Sequence, residues 1–311
     1  MDVSIVMINY NTYDLTKNAI ESILSYTANL QYEIILVDNN SPDNSGEMLN
    51  DFFESKIIYI QSGGNLGTSK AFNMGARIAT GKYILWLNSD ILIKDNFVFD
   101  LFDYMEKSLE CGICGGNLVN WNNEPMHSYR LALPSLETVR KSNGLWHKIK
   151  NKLTNSDIKN QYNFTGKPLE VGYITGADMM IRKSVIDEIG GFDEDIFMYA
   201  EECEFTFRMK QRTHYKVISV PTATMQHLEG ASFGKEAAFN ERRFRAMLNG
   251  NSIYFEKCYG KSTLIKYLRL LCRANLKLAV FNLILFRKSK AIANKKGRAI
   301  VKEKLREISV K

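Results

Sequence analysis

Tyr83-Ile84-Leu85-Trp86-Leu87-Asn88-Ser89-Asp90 is the stretch that decides the fold. Its first five residues are apolar, aromatic or branched, without helical spacing, and so spell a strand buried on both faces. The run then breaks into three small polar residues. In an open α/β sheet the carboxyl ends of the strands hold ligands, because the loops leaving them point polar groups into a crevice. A carboxylate at that spot, Asp90, is an oxygen ligand suited to Mg²⁺ or Mn²⁺, and such an ion can in turn hold a diphosphate. The competing reading is that Asp90 only caps Ile91-Leu92-Ile93, since aspartate is a favoured capping residue.

Outward from this stretch the same pattern repeats. Val3 to Ile8 is an apolar strand that ends in Asn9-Tyr10-Asn11, and Asp14 opens a helix with Leu15, Ile20, Ile23 and Leu24 on one face. Glu33 to Val37 is a second strand, ending in Asp38-Asn39-Asn40-Ser41. Ser45 to Phe53 reads as a helix, Lys56 to Ile60 as a strand, and Thr68 to Ala79 as a helix of small residues after Gly63-Gly64-Asn65-Leu66-Gly67. Alternation at this spacing predicts an α/β fold with a doubly wound, mostly parallel sheet. Three polar strand ends would then converge on one crevice. Asp38 there can accept the N3–H of a uracil or thymine, or more plainly start an Asx turn before Pro42. The glycines do not have the GxGxxG spacing, and Lys70, Asn73 and Arg77 read equally as a solvated helix face.

Composition bounds the rest. A chain of 311 residues, 45% of them hydrophobic, is long enough to core one large domain with an appendage. Met1-Asp2-Val3-Ser4 has no basic n-region, which argues against a signal peptide. Five scattered cysteines fit a reducing, cytoplasmic setting, and Cys111-Gly-Ile-Cys114 reads as a pair of strand thiols rather than a zinc site. The total charge of +7 is unevenly spread: from Lys257 onward 16 Lys and Arg face two Glu, a net of +14, which leaves −7 for the first 256 residues.

With these pieces in hand, residues 3–100 resemble the amino-terminal half of an inverting GT-A glycosyltransferase of family 2, in its rhamnosyltransferase-like branch. The matching segments are Ser4 to Asn11, Val37 to Ser41, Asn65 to Gly75 and Gly81 to Asp90, where Asn88-Ser89-Asp90 stands for the family's DxD. The second half adds Gly172 to Lys183, in which Asp178 replaces the usual apolar residue, and then Phe197 to Arg208 and Gln226 to Ser232. The resemblance implies Glu202 as catalytic base and Asn9, Asn11, Asp38, Asn65, Lys70, Asn88 and Asp90 on the donor side. It implies Gly176, Ala177, Asp178 and Glu201 on the acceptor side, and Mg or Mn held by Asp90 and His227. The expected reaction is metal-assisted single displacement, moving rhamnose or another hexose from a UDP- or dTDP-sugar to a glycan or lipid-linked glycan in cell-surface polysaccharide synthesis.

The residues themselves are compatible with this. A carboxylate within hydrogen-bond reach of an acceptor hydroxyl can take its proton, and two adjacent acids crowd like charges so that one holds its proton more tightly. Glu201 and Glu202 read otherwise as helix-start acids facing the macrodipole. Two rival classes are a nucleotidyltransferase, for which Asn9-Tyr10-Asn11-Thr12 lacks the basic glycine loop, and a catalytically silent glycan-binding or scaffold protein of the same fold.

The expected organisation is a GT-A domain over 1–256, with a nucleotide-sugar half at about 1–100 and an acceptor half at about 101–235, followed by a basic helical tail over 257–311. Residues 120–170, with Trp146, His147 and a Lys/Asn-rich run, read as a polar insertion that orders as a lid on binding. The tail interleaves Leu264, Leu268, Leu276, Val280 and Leu283 with Lys266, Arg269, Arg273 and Lys277. That pattern predicts an amphipathic helix on an anionic membrane surface, peripheral on the inner face of the plasma membrane. The plainer reading is a helix packed on its own domain or on a second subunit of a homo-oligomer. No nucleic-acid recognition module is legible.

Overall fold

The computed structural model describes residues 1–142, 158, 160–228 and 239–310. Residues 143–157 and 159 of the expected polar insertion, Trp146 and His147 among them, and the stretch Glu229 to Ser232 lie outside the described residues. Among the described residues the chain forms two compact units: 1–132, 158–197 and 201–228 make the first, and 133–142, 198–200 and 239–310 the second.

The first unit is built on a nine-stranded sheet. Strands β1 (Val3–Asn9), β2 (Tyr32–Asp38), β3 (Ile58–Gln61) and β4 (Tyr83–Leu87) run parallel in the order β3-β2-β1-β4. Helices α1 (Tyr13–Tyr26), α2 (Ser45–Phe53) and α3 (Gly67–Ile78) make the crossovers. Strand side chains alternate faces, and both faces are covered. Val3, Ile5, Met7, Tyr83, Leu85 and Leu87 pack with α1, α2 and helix α4 (Phe97–Lys107). On the other face Val6, Ile84 and Trp86 pack with α3. That is why these strands read as unbroken apolar runs.

Past β4 the sheet becomes mixed. The strand on its far edge, β10 (Asp178–Arg182), is antiparallel, with Asp178 opposite Leu87. The chain enters β10 from the carboxyl end of β4, where the Asn88 N–H donates to the Ala177 carbonyl at 3.2 Å. Gly176 to Asp178 therefore meets Asn88 to Asp90 at one sheet edge. Strands β6 (Cys111–Val119) and β11 (Lys216–His227) pair in parallel beyond β10, and β5 (Ile91–Ile93) closes the edge against β11. Cys111 and Cys114 are free, buried thiols within β6. Glycine is needed where α3 crosses the sheet: a Cβ at Gly75 would stand 2.6 Å from Val6 Cγ1 and 3.3 Å from Val37 Cγ2.

The second unit is helical. It contains α5 (Leu136–Ser142) and three long helices, numbered here α8 (Glu241–Tyr259), α9 (Lys261–Ile284) and α10 (Lys288–Val310), after α6 (Lys183–Ile189) and α7 (Glu201–Arg212) of the first. Asn240 caps α8 by accepting the Arg243 N–H at 2.9 Å, and Phe255 stacks on Tyr267 of α9 with centroids 4.1 Å apart. The catalytic-domain boundary expected at residue 256 is not a break between units, since α8 clusters with the basic helices. No helix among the described residues is long and apolar enough to cross a membrane.

Replacing Gly75 by Ala sets about 1 kcal/mol of helix propensity against overpacking of two stiff valines, which costs about 1–3 kcal/mol. The expected outcome is a lower melting temperature in thermal unfolding; a rise would mean that α3 moves off the sheet freely.

Candidate active site

The parallel strands end in a buried polar network. Asn9 is fully buried, and its Nδ2 donates to Asp38 Oδ1 (2.8 Å), Ser41 Oγ (3.0 Å) and Ser45 Oγ (2.8 Å), while its Oδ1 accepts from Thr12 and Thr16. Asp38, 1% exposed, accepts in addition from the Ser41 N–H and Oγ and from Gln61 Nε2. Its carboxylate is thus already satisfied, and it organises the β2 loop rather than standing open as a base acceptor. Asn9 likewise acts through Asp38. Asn11 is exposed with φ 55°, a left-handed turn that asparagine tolerates, and its N–H donates to Ser41 Oγ. Asn65 Oδ1 accepts from Asn39 Nδ2 and from the Gly67 N–H, which fixes the turn into α3. Lys70 is half-buried on that helix.

At the end of β4, Asp90 is 5% exposed and its Oδ1 lies 3.3 Å from His227 Nε2. The Asp90 carbonyl accepts the Leu228 N–H at 2.8 Å, so the backbone holds the pair in register. The Asn88 amide approaches the same imidazole nitrogen at 3.5 Å. Among the described residues no three His, Cys, Asp or Glu converge on a point. A carboxylate beside an imidazole nevertheless makes a donor pair that fits Mg²⁺ or Mn²⁺, hard ions that keep open positions for water and phosphate oxygens.

The acid pair sits at the start of α7. Tyr199 and Ala200, just before it, both take left-handed backbone (φ 68° and 73°), a costly arrangement for residues with side chains. Glu201 is 5% exposed, and its Oε2 has no hydrogen-bond partner. Burial first, and the neighbouring Glu202 carboxylate second, push the Glu201 carboxyl up to about 8. Glu202 is half-buried and accepts from Cys203 Sγ at 3.7 Å. Glu204 is spent on Arg208, which donates to both of its oxygens and to the carbonyls of Ile189 and Gly191. The Thr68 N–H at the start of α3 donates to the Phe197 carbonyl at 2.7 Å, which ties the loop before the acids to that helix.

Three further residues, which the sequence did not flag, lie near these groups. Arg130 and Tyr173 face each other in a short ribbon, β7 (Tyr129–Arg130) with β9 (Tyr173–Ile174). His127 is held down to about 4 by burial and then by Arg130 and His227. Tyr173 is pushed well above the usual phenol range by burial and then by Cys203 and Glu202. Burial therefore keeps both His127 and Tyr173 uncharged near neutral pH. Asp178 faces inward: Oδ2 accepts the Gly116 N–H at 2.6 Å, Oδ1 has no partner, and burial holds the carboxyl well above the carboxylate range. Gly176 lets its loop lie flat on Trp86.

Residues 4–190 match the family described as glycosyl transferase family 2, and the chain belongs to that family. It is 30% identical over 215 residues to the low-salt glycan biosynthesis hexosyltransferase Agl10 of Haloferax volcanii, a match that covers 68% of this chain and 62% of that protein. It is 38% identical over 88 residues to the UDP-Glc:alpha-D-GlcNAc-diphosphoundecaprenol beta-1,3-glucosyltransferase WfaP of Escherichia coli, across 28% of this chain and 35% of WfaP. In structure it is similar to S. aureus TarS 1-349, with a TM-score of 0.52 at 13% identity, over 99% of this chain and 92% of that one. The fold is the GT-A fold.

Because the folded protein holds a proton on Glu201 that the unfolded chain has lost, wild-type stability falls as pH rises from the ordinary carboxylate range through about 8. Glu201→Gln removes that titration. Its melting temperature should match wild type near pH 5 and exceed it by several degrees near pH 9, in approximate terms. Parallel melting profiles across that range would show that Glu201 is charged when folded.

Proposed function

We propose that the protein is a hexosyltransferase that moves a sugar, with inversion, from a UDP- or dTDP-sugar to a glycan or lipid-linked glycan in surface glycan synthesis. Family membership supports the reaction class, and the names of Agl10 and WfaP support a hexose, a nucleotide diphosphate donor and a lipid-linked acceptor. The observations that carry the reading are two: Asp90 beside His227 past the end of β4, and Glu202 beside a neutral Glu201 at the start of α7.

Glu202 is the base in this reading. It accepts the proton of the acceptor hydroxyl as that oxygen attacks the anomeric carbon, while the bond from that carbon to the diphosphate oxygen breaks on the opposite side. Glu201, protonated and buried, keeps a second negative charge away from the attacking oxygen. Asp90 and His227 would hold Mg or Mn, which when bound supplies neutralisation of charge on the leaving diphosphate. Asn65 and Lys70 lie at the amino end of α3, where the positive end of the helix dipole and a lysine favour a phosphate.

Glu202→Gln should lower kcat by about 10²–10⁴ while nucleotide binding by calorimetry stays near wild type. Asp90→Ala should weaken Mn²⁺-dependent binding of the nucleotide and leave metal-free binding alone. Turnover unchanged in the first variant, or metal dependence unchanged in the second, would remove that residue from its role.

A further inference from the structure

The basic tail is a hairpin of α9 and α10, and its tip has an unusual composition. Ile284, Leu285 and Phe286 follow one another at the turn, and Phe286 is 89% exposed. Phe286 also has φ 56°, the left-handed region where Gly or Asn would cost less. Folding the hairpin therefore gives no reason for an aromatic residue there. Arg287, Lys288 and Lys290 come next.

A furrow of about 260 Å³ runs between the two helices behind this tip. One wall carries Leu276, Val280 and Leu283, spaced one helical turn apart and each more than two-fifths exposed. The facing wall carries Lys295, Arg298 and Lys302, again one turn apart. Arg298 Nε is buried without a hydrogen-bond partner. An apolar wall, a cationic wall and an unfilled guanidinium donor match a ligand with an acyl chain and an anionic headgroup. A protein segment would have to supply a matching acidic and apolar stripe, and the acidic charge of this chain lies outside the tail, where only Glu303 and Glu307 are negative.

We propose that the α9–α10 hairpin docks on an anionic phospholipid bilayer, with Leu285 and Phe286 inserted below the headgroups and a lipid phosphate held at Arg298. Cations near such a surface and apolar side chains buried in it add together, and neither alone gives firm anchoring. The inference goes beyond the sugar-transfer reading and does not depend on it.

The test uses the full chain without any nucleotide sugar, sedimented with phosphatidylcholine vesicles and with vesicles containing about one-third phosphatidylglycerol. Binding should need phosphatidylglycerol and weaken with salt. Phe286→Ser should lower vesicle affinity about tenfold or more, and Arg298→Gln with Lys302→Gln about thirtyfold, with circular dichroism unchanged. Leu285→Trp, a substitution at an exposed position, should gain fluorescence that brominated lipid quenches. Equal sedimentation with both vesicle types, or none, overturns the proposal. So does concentration-dependent self-association in ultracentrifugation that Phe286→Ser abolishes while no vesicle binding occurs, because a second copy would then cover this face.

Discussion

Strand β4 is bonded along both edges, to β1 in parallel and to β10 antiparallel, and packed on both faces. The geometry of the site follows from that confinement. A strand with no free edge and no free face cannot slip by one residue without turning Leu85 and Trp86 to the wrong sides, so its register is fixed. The first residues free to leave the sheet are Asn88 to Asp90. They leave at the edge where β10 begins, and β11 carries His227 in against Asp90 from the other half of the chain.

The polar network below that edge shows what such fixing costs. Asn9, Asp38, Ser41 and Ser45 are all buried, and a buried polar group is tolerable only when every donor and acceptor is met. Asn9 meets this by serving five partners at once, which no other residue of its size does with both donors and an acceptor. The aspartate is thereby prevented from swinging, and the loops after β1 and β2 are locked together.

Much of this was legible in the sequence, for a physical reason. Apolar runs such as Val3 to Ile8 and Tyr83 to Leu87 have only one stable home, and a polar stop after each marks the sheet edge. Asp90 and His227 stood out because each lies where an apolar strand gives way to polar residues. What escaped was set by distant contacts. The satisfied state of Asp38 depends on Gln61, which lies 23 residues on. Arg130 and Tyr173 sit on two-residue strands too short to leave a period, and His127 lies in the irregular stretch just before the first of them. The apolar side of helix α10 is hard to see in the sequence because its buried anchors, Ala291, Ile300 and Val301, are few among lysines.

A count of acids at the crevice overstates its charge. Asp38, Asp90, Asp178, Glu201 and Glu202 would present five negative charges to an incoming diphosphate, and repulsion among them would be severe in a partly dry site. Burial keeps protons on Asp178 and on Glu201, which removes two of the five. Asp38 is wrapped in four donors and turned inward. The fold thus tolerates its acids in two ways, holding protons on two that are buried and wrapping a third in donors.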